Sequence, residues 1–181
     1  MPTYVEVLNK ILSLGTIFLQ VIIIFLIINL IFVRSHNNKV LLFFKKYTFT
    51  FGFLIALGAV LLSLFYSVIV GFPACELCWV ERIFLYPQLI LFGIELYKRD
   101  RSIVDFSIVF GILGSLTSIY HVFVESGLTN GSICINPSNG GVSCAIRYVY
   151  EFGYITIPIM ALTASLFIIS ILLNYKYMSK I

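Results

Sequence analysis

Long apolar stretches alternate with short polar segments along the chain and predict membrane-spanning helices. A bilayer core about 30 Å thick requires roughly 20 apolar helical residues, because each residue advances a helix by about 1.5 Å. One stretch, 83–97, reaches spanning length only if its helix begins near Leu77. With it, five stretches meet or approach the required length: 11–33, 51–71, 83–97, 103–124 and 154–173.

The composition supports this prediction. Of the 181 residues, 60% are hydrophobic and 11% are charged, and the mean hydropathy is +1.04, whereas soluble domains carry about 25% charged residues. The first apolar stretch is longer than a signal-peptide core, and no Ala-x-Ala site follows it, so we interpret it as a retained helix. The expected fold is an all-α integral membrane protein: an antiparallel four-helix transmembrane bundle plus one extra N-terminal transmembrane helix.

Lysine and arginine are distributed unevenly between the two ends of the predicted helices. One end carries Arg34, Lys39, Lys45, Lys46, Lys98, Arg99, Arg101, Lys176 and Lys180, and the other carries only Lys10, Arg82 and Arg147. The richer end usually faces the cytoplasm, which predicts an outer N-terminus, a cytoplasmic C-terminus and cytoplasmic loops at about 34–50 and 98–102. Orientation and attraction to anionic lipid then account for the net charge of +4, and no nucleic-acid binding is expected.

All four cysteines fall in the two predicted outer loops. Cys75 and Cys78 lie between the second and third helices, and Cys134 and Cys144 lie between the fourth and fifth. Outside a bacterial cytoplasmic membrane the environment is oxidising, so disulfides persist there. Four cysteines allow three pairings, and proximity in sequence favours Cys75–Cys78 and Cys134–Cys144.

Three kinds of site are consistent with these cysteines. A non-enzymatic membrane protein with structural outer-face disulfides is one, although a Cys-x-x-Cys bridge closes too short a loop to stabilise a fold much. A four-sulfur zinc site is another, but the 134–144 spacing is wide and an oxidising compartment removes thiolates. A redox site is the interpretation we favour, and no metal is expected.

The surroundings of the first cysteine pair favour redox chemistry. The third helix is expected to begin at about residues 74–77, which places Cys75 and Cys78 in its first turn, where the helix N-terminus stabilises a thiolate. Arg82 lies four residues beyond Cys78 on the same helix face, so its guanidinium is expected to stabilise a Cys78 thiolate. Such a thiolate, at the start of an apolar helix, is well placed to meet a lipid-soluble oxidant.

The segment "CELCWVER" at 75–82 resembles the C-x-L-C-x-x-[EQ]-R signature of the DsbB/BdbC family, the membrane thiol:quinone oxidoreductases of bacterial disulfide formation. The "YH" at 120–121, the second cysteine pair and "EFGYITIPIMAL" at 151–162 are similar to BdbC-type members. The likeness covers about residues 50–175. The family core has four transmembrane helices, so the helix at 11–33 is an addition.

The resemblance implies a role for each cysteine. Cys78 matches the cysteine that reacts with the quinone, and Cys75 matches its exchange partner. Cys134 matches the cysteine attacked by a thioredoxin-like partner of the DsbA/BdbD type, with Cys144 as its companion. Electrons would pass from the partner to the second pair, then to the first pair, and then to the quinone.

The resemblance also implies a cofactor and a location. Arg82 matches the arginine that supports the bound quinone, ubiquinone or menaquinone, and His121 is expected near it by position. Residues 1–50 would hold the extra helix and a basic loop, 51–175 the redox domain, and 176–181 a cytoplasmic tail, in a multi-pass protein of the bacterial cytoplasmic membrane. An oxidoreductase working in the opposite direction, towards a reductase-type partner, is a further alternative.

Overall fold

The computed structural model describes residues 3–33, 39–98, 103–129, 134 and 142–179, and this part of the chain contains five long helices. The helices are α1 (Thr3–Ile28), α2 (Lys39–Leu64), α3 (Glu76–Lys98), α4 (Ile103–Glu125) and α5 (Ile157–Ser179). Each is long and apolar enough to cross a membrane. This confirms the predicted all-α membrane fold.

Contacts between helix ends show that α2 runs opposite to α3 and α5, and that α4 runs opposite to α5. The start of α3 is tied to the end of α2, since Arg82 donates to Ser63. The end of α5 is likewise tied to the start of α4 by an ion pair of 2.6 Å between Lys176 and Asp105. Since Lys45, in the second turn of α2, donates to the carbonyl of Met178 near the end of α5, these three helix ends lie together, opposite the cysteines.

Several predicted boundaries are wrong because the helices extend into polar sequence. α1 begins at Thr3, well before 11, and the first turns of α2 occupy most of the expected loop at 34–50. α5 continues to Ser179, so most of the predicted tail is helical. Long lysine side chains reach polar surroundings from within a helix end, so charged residues there need not mark a loop. Arg34, Arg99, Arg101 and Lys180 lie outside the described residues.

α5 is the central helix of the bundle. It packs along α1, α2 and α4, and more of its spanning window is buried than in any other described helix. Small residues bring α4 close to it: a Cβ at Gly111 would lie 2.8 Å from Ile169 Cγ1, and small residues permit such close approach of membrane helices. On the other side, α2 meets α3 where Gly52 lies against the ring of Phe92.

The chain reverses sharply between α2 and α3. The end of α2 continues as a π-helical turn over Phe65–Ile69, and Gly71 then adopts a φ of 81°, which favours glycine. The chain next passes Pro73 and enters α3 at Glu76, as the sequence predicted. This reversal carries the first cysteine pair back over the end of the bundle.

Candidate active site

The start of α3 holds the first two cysteines side by side. Cys75 precedes the helix, and its carbonyl accepts the first-turn hydrogen bond from the N–H of Trp79 at 3.2 Å. Cys78 lies in the first turn, and the two sulfurs are 3.0 Å apart as free thiols. A disulfide requires about 2.05 Å. A short movement therefore separates this dithiol from a disulfide.

A buried histidine and carboxylate complete this cluster. His121, near the end of α4, places Nε2 3.7 Å from the sulfur of Cys75 and Nδ1 3.1 Å from Oε1 of Glu81. All three residues are buried. A carboxylate at Nδ1 orients the ring and holds a proton on that nitrogen, which directs Nε2 towards the sulfur. The sequence did not predict the contact of Glu81 with His121.

These contacts stabilise a thiolate at Cys75. The hydrogen bond with Cys78 is the largest cause that lowers the pKa of the Cys75 thiol; His121 adds to it, and burial opposes both. The sequence expectation placed the stabilised thiolate at Cys78 beside Arg82. In the structure the stabilising groups converge on Cys75, because α4 brings His121 to that sulfur.

Arg82 connects the cysteine motif to α2. Its Nε donates to Ser63 Oγ at 2.8 Å, and its Nη2 donates to Ser67 Oγ at 2.9 Å and to the carbonyl of Ser63 at 3.2 Å. The guanidinium also lies over the ring of Trp79, 4.8 Å from the centroid. These hydrogen bonds fix the position of the Arg82 side chain. Arg82 and Cys78 line the same cavity.

The second cysteine pair lies against the first. Cys134 and Cys144 form a disulfide, which is the pairing favoured by their proximity in sequence. Cys144 is buried in one cluster with Cys75, Leu77 and Val124. Residues 135–141, between the two cysteines, lie outside the described residues. The fold therefore brings both redox-capable pairs to one place.

An aromatic stack holds the segment that follows Cys144. Tyr148 stacks on Phe72 with ring centroids 4.7 Å apart, and Phe72 stacks on Tyr66 of the π-helical turn at 5.7 Å. Arg147 donates to the carbonyl of Glu125 at 3.1 Å. These contacts fix the segment over the end of the bundle, next to Cys144.

A cavity of about 530 Å³ opens beneath this segment. Cys75, Cys78 and Cys144 line it, and Arg82 and His121 supply polar groups at the same end. Glu81 and Glu125 also line this end of the cavity, and mostly apolar residues of α1, α2 and α5 form much of the remaining wall. The arrangement permits thiol–disulfide exchange between the pairs and admits an amphipathic molecule beside Cys78.

The four-sulfur zinc site considered from the sequence is not formed among the described residues, since Cys134 and Cys144 are bonded to each other. Ligand atoms of Cys75, Cys78 and His121 do lie within 4.8 Å of one another, and these are donor types that zinc accepts. Closure of the first pair as a disulfide would remove two of these three donors from metal binding.

Comparisons with known proteins identify a family. The family model described as "Disulfide bond formation protein DsbB" matches residues 45–174. A probable disulfide formation protein C 2 of Bacillus anthracis is 33% identical over 129 residues, 71% of this chain and 89% of that protein. Disulfide bond formation protein C of Bacillus subtilis is 38% identical over 118 residues, 65% of this chain and 84% of that protein.

Another organism supplies a third relative. A probable disulfide formation protein of Coxiella burnetii is 36% identical over 124 residues, 67% of this chain and 82% of that protein. No solved structure matches the chain. The family match begins inside α2, so α1 lies outside it.

Proposed function

The chain belongs to the DsbB family and is a multi-pass membrane disulfide oxidoreductase, and from this we propose that it re-oxidises a thioredoxin-like extracytoplasmic partner and passes the electrons through two cysteine pairs to a membrane quinone. The observation that carries the proposal is the single cavity lined by cysteines of both pairs, Cys75, Cys78 and Cys144.

Cys134 is the proposed point of entry for electrons. It is less buried than Cys144, so it is the more accessible sulfur of the disulfide. A partner thiolate attacks Cys134, forms a mixed disulfide and releases Cys144 as a thiolate. The second thiol of the partner then displaces Cys134. The partner leaves with a disulfide, and two electrons remain on Cys134 and Cys144.

The buried cluster that contains Cys75 and Cys144 supports exchange between the pairs. Attack of the Cys144 thiolate on the Cys75–Cys78 disulfide forms a Cys75–Cys144 bond and releases the Cys78 thiolate. Attack of Cys134 on Cys144 restores the second disulfide and releases Cys75. His121, 3.7 Å from the Cys75 sulfur, stabilises the thiolate that is released. The two electrons then reside on the first pair.

The cavity fits a quinone in size and polarity. Small-molecule sites occupy about 300–1,000 Å³, and this cavity has polar groups at the cysteine end and an apolar wall elsewhere. Arg82 and His121 would hold the ring beside Cys78, and the apolar wall would hold the tail. Ubiquinone or menaquinone, when bound, supplies a two-electron, two-proton acceptor. The reduction potential of strongly oxidising thioredoxin-like proteins is about −120 mV, and a glutathione pool is too reducing to re-oxidise them.

The proposed location is the bacterial cytoplasmic membrane, with both cysteine pairs on the outer side and the C-terminus in the cytoplasm. The described lysines Lys45, Lys98 and Lys176 lie at the end of the bundle opposite the cysteines, which supports this orientation because positive charge is retained on the cytoplasmic side. Residues of about 51–175 form the proposed redox domain, and α1 is an addition to it.

The test is anaerobic reduction of a quinone analogue by a reduced thioredoxin-like protein, followed by absorbance. Wild type is compared with Cys78→Ser and with Cys134→Ser. We expect turnover by wild type only, with Cys134→Ser unable to accept electrons from the partner. If wild type is folded, with its disulfide intact, and none of several partners and quinones is turned over, the disulfides are structural. If the protein catalyses reduction of the oxidised partner by quinol faster than oxidation of the reduced partner by quinone, it works in the opposite direction, towards a reductase-type partner.

A further inference from the structure

We propose that α1 forms one wall of the groove that binds the apolar tail of the quinone, and that Gly15 leaves the space in which this tail lies. The inference rests on the proposed function and assigns a role to a helix outside the family match. It concerns the choice between quinones with different tails.

The cavity at the cysteines is lined by residues of both α1 and α2. α1 contributes Ile11, Leu12, Gly15, Thr16, Phe18 and Leu19. α2 contributes Leu54, Ile55, Gly58, Ala59, Leu62 and Ser63. Nearly all of these side chains are apolar, and the hydroxyl of Thr16 donates to the carbonyl of Leu12 within its own helix. The groove between the two helices therefore offers an apolar surface to a ligand.

The groove exists because α1 and α2 rest on a common neighbour. Each packs along α5, whereas the described parts of α1 and α2 barely touch each other. Further along, a second hollow of about 390 Å³ is lined by four of the same residues, Phe18, Leu19, Leu54 and Ile55, together with Phe167 of α5. The two hollows are thus adjacent, and a path along them would be apolar and would lead away from the cysteines.

Two glycines on opposite walls leave this path open. A Cβ placed at Gly15 of α1 or at Gly58 of α2 would meet no atom within 4 Å. Glycines that serve helix packing are different, since a Cβ at Gly52 would lie 2.6 Å from the Phe92 ring. Close packing therefore does not explain Gly15 and Gly58, whereas a ligand in the groove does.

The groove continues inwards from the polar end of the site. Arg82 is anchored to Ser63, and Gly58 lies five residues deeper along α2, which is about 7.5 Å of helix. A quinone ring beside Arg82 and Cys78 would therefore have the first units of its tail at the depth of Gly58. The continuity of the groove with the redox cavity identifies the tail as the occupant.

Polar contacts hold α1 in position as a fixed wall. The Tyr66 hydroxyl donates to Asn9 Oδ1 at 2.5 Å. Gln20 Nε2 donates to Thr163 of α5 at 3.2 Å, and Gln20 Oε1 accepts from the Tyr154 hydroxyl at 2.8 Å. Side-chain hydrogen bonds of this kind join helices within membranes. α1 is therefore tied to the bundle on both sides of Gly15.

The test uses the full chain and Gly15→Leu, with Gly15→Ala as a graded variant. Leu14→Phe is the matched control, because Leu14 is exposed on α1 and does not line the cavity. Binding of a long-tailed quinone and of a tailless ring analogue is measured by quenching of Trp79, the single tryptophan. We expect Gly15→Leu to lower the ratio of long-tailed to tailless affinity by about tenfold, Gly15→Ala to lower it less, and Leu14→Phe to leave it unchanged.

An unchanged affinity ratio in Gly15→Leu would overturn the inference, and this is the result expected if an ordinary lipid chain fills the groove. A change of the ratio in Leu14→Phe as large as that in Gly15→Leu would overturn it too. If Gly15→Leu does not fold, Gly58→Leu tests the opposite wall with the same expected ratio. The proposed function fails separately: wild type then neither binds either quinone nor oxidises the partner. Turnover by wild type together with an unchanged ratio rejects only the role of α1.

Discussion

His121 Nε2 lies 3.7 Å from the sulfur of Cys75, although 46 residues separate the two in sequence. Glu81 holds the opposite nitrogen of the ring, so a buried carboxylate orients a histidine towards a buried thiol. The three residues come from α4, from α3 and from the turn before α3. The candidate redox site is therefore assembled from residues at the ends of two helices, and the Cys-x-x-Cys segment alone does not form it.

This relationship predicts a pH dependence. The contacts with Cys78 and His121 lower the pKa of the Cys75 thiol from its ordinary value of about 8.5. The thiolate and the stability it contributes are therefore present above the pKa of an unfolded thiol and are lost as the pH falls through the lower, folded value. In a Cys134→Ser/Cys144→Ser background, His121→Ala should raise the midpoint of thiolate absorbance by about one unit.

Glu81→Gln is the companion variant for this titration. It keeps a hydrogen-bonding group at His121 and removes the carboxylate charge, so its shift should have the same direction and a smaller size. A midpoint that is identical in wild type and His121→Ala would contradict the proposed stabilisation of Cys75 by His121.

Arg82→Lys should weaken quinone binding more than it slows the chemical step. The guanidinium reaches Ser63 and Ser67 together, whereas a lysine ammonium is a point charge without that planar fork. Hydrogen bonds to charged groups contribute about 1.5–3 kcal/mol, so KM for the quinone should rise about tenfold to a hundredfold. Steady-state kinetics with a quinone analogue measures this.

A Ser63→Ala/Ser67→Ala variant separates the position of Arg82 from its charge. If the hydrogen bonds to α2 hold Arg82 in the position that binds the quinone, this variant should reproduce part of the rise in KM although the guanidinium is still present. Equal kinetics in wild type, Arg82→Lys and the double alanine variant would exclude Arg82 from quinone binding.

Gly52→Ala should destabilise the bundle while Gly58→Ala, in the same helix, should not. A Cβ at Gly52 meets the Phe92 ring at 2.6 Å, and one at Gly58 meets nothing within 4 Å. Overpacking costs about 1–3 kcal/mol, whereas alanine at an open helical position is better than glycine by up to about 1 kcal/mol. Thermal unfolding in detergent measures the melting temperatures of the two variants. Similar melting temperatures would contradict the close α2–α3 contact.

Tyr148→Ala should slow electron transfer between the cysteine pairs. The ring stacks on Phe72 beside Cys144, and such aromatic pairs contribute about 0.5–1.5 kcal/mol beyond the area they bury. Its loss should loosen the segment that positions Cys144, and single-turnover oxidation of a reduced partner measures the effect. Tyr148→Phe should behave as wild type.

Phe152→Ala is the control for this segment, because the Phe152 ring is exposed and is not part of the aromatic stack. If Tyr148→Ala and Phe152→Ala slow the reaction equally, the stack with Phe72 does not position Cys144.

The membrane helices and part of the candidate redox site followed from the sequence, because they depend on local properties. Apolar stretches of spanning length predicted five helices, and the start of α3 at Glu76 agreed with the expected helix beginning at residues 74–77. Nearness in sequence favoured the Cys134–Cys144 pairing, which the structure contains. The polar beginnings of α1 and α2 were missed, since hydropathy does not distinguish a helix end with long cationic side chains from a loop.

Tertiary structure alone decided which groups surround each sulfur. The sequence placed Arg82 beside Cys78 by helical spacing, but the serines that hold Arg82 lie on α2, and the histidine that faces Cys75 lies on α4. The groove between α1 and α2 likewise depends on how both helices rest on α5. Spacing within one helix is determined by its backbone, whereas contacts between helices depend on their rotation and mutual packing, which a single sequence does not display.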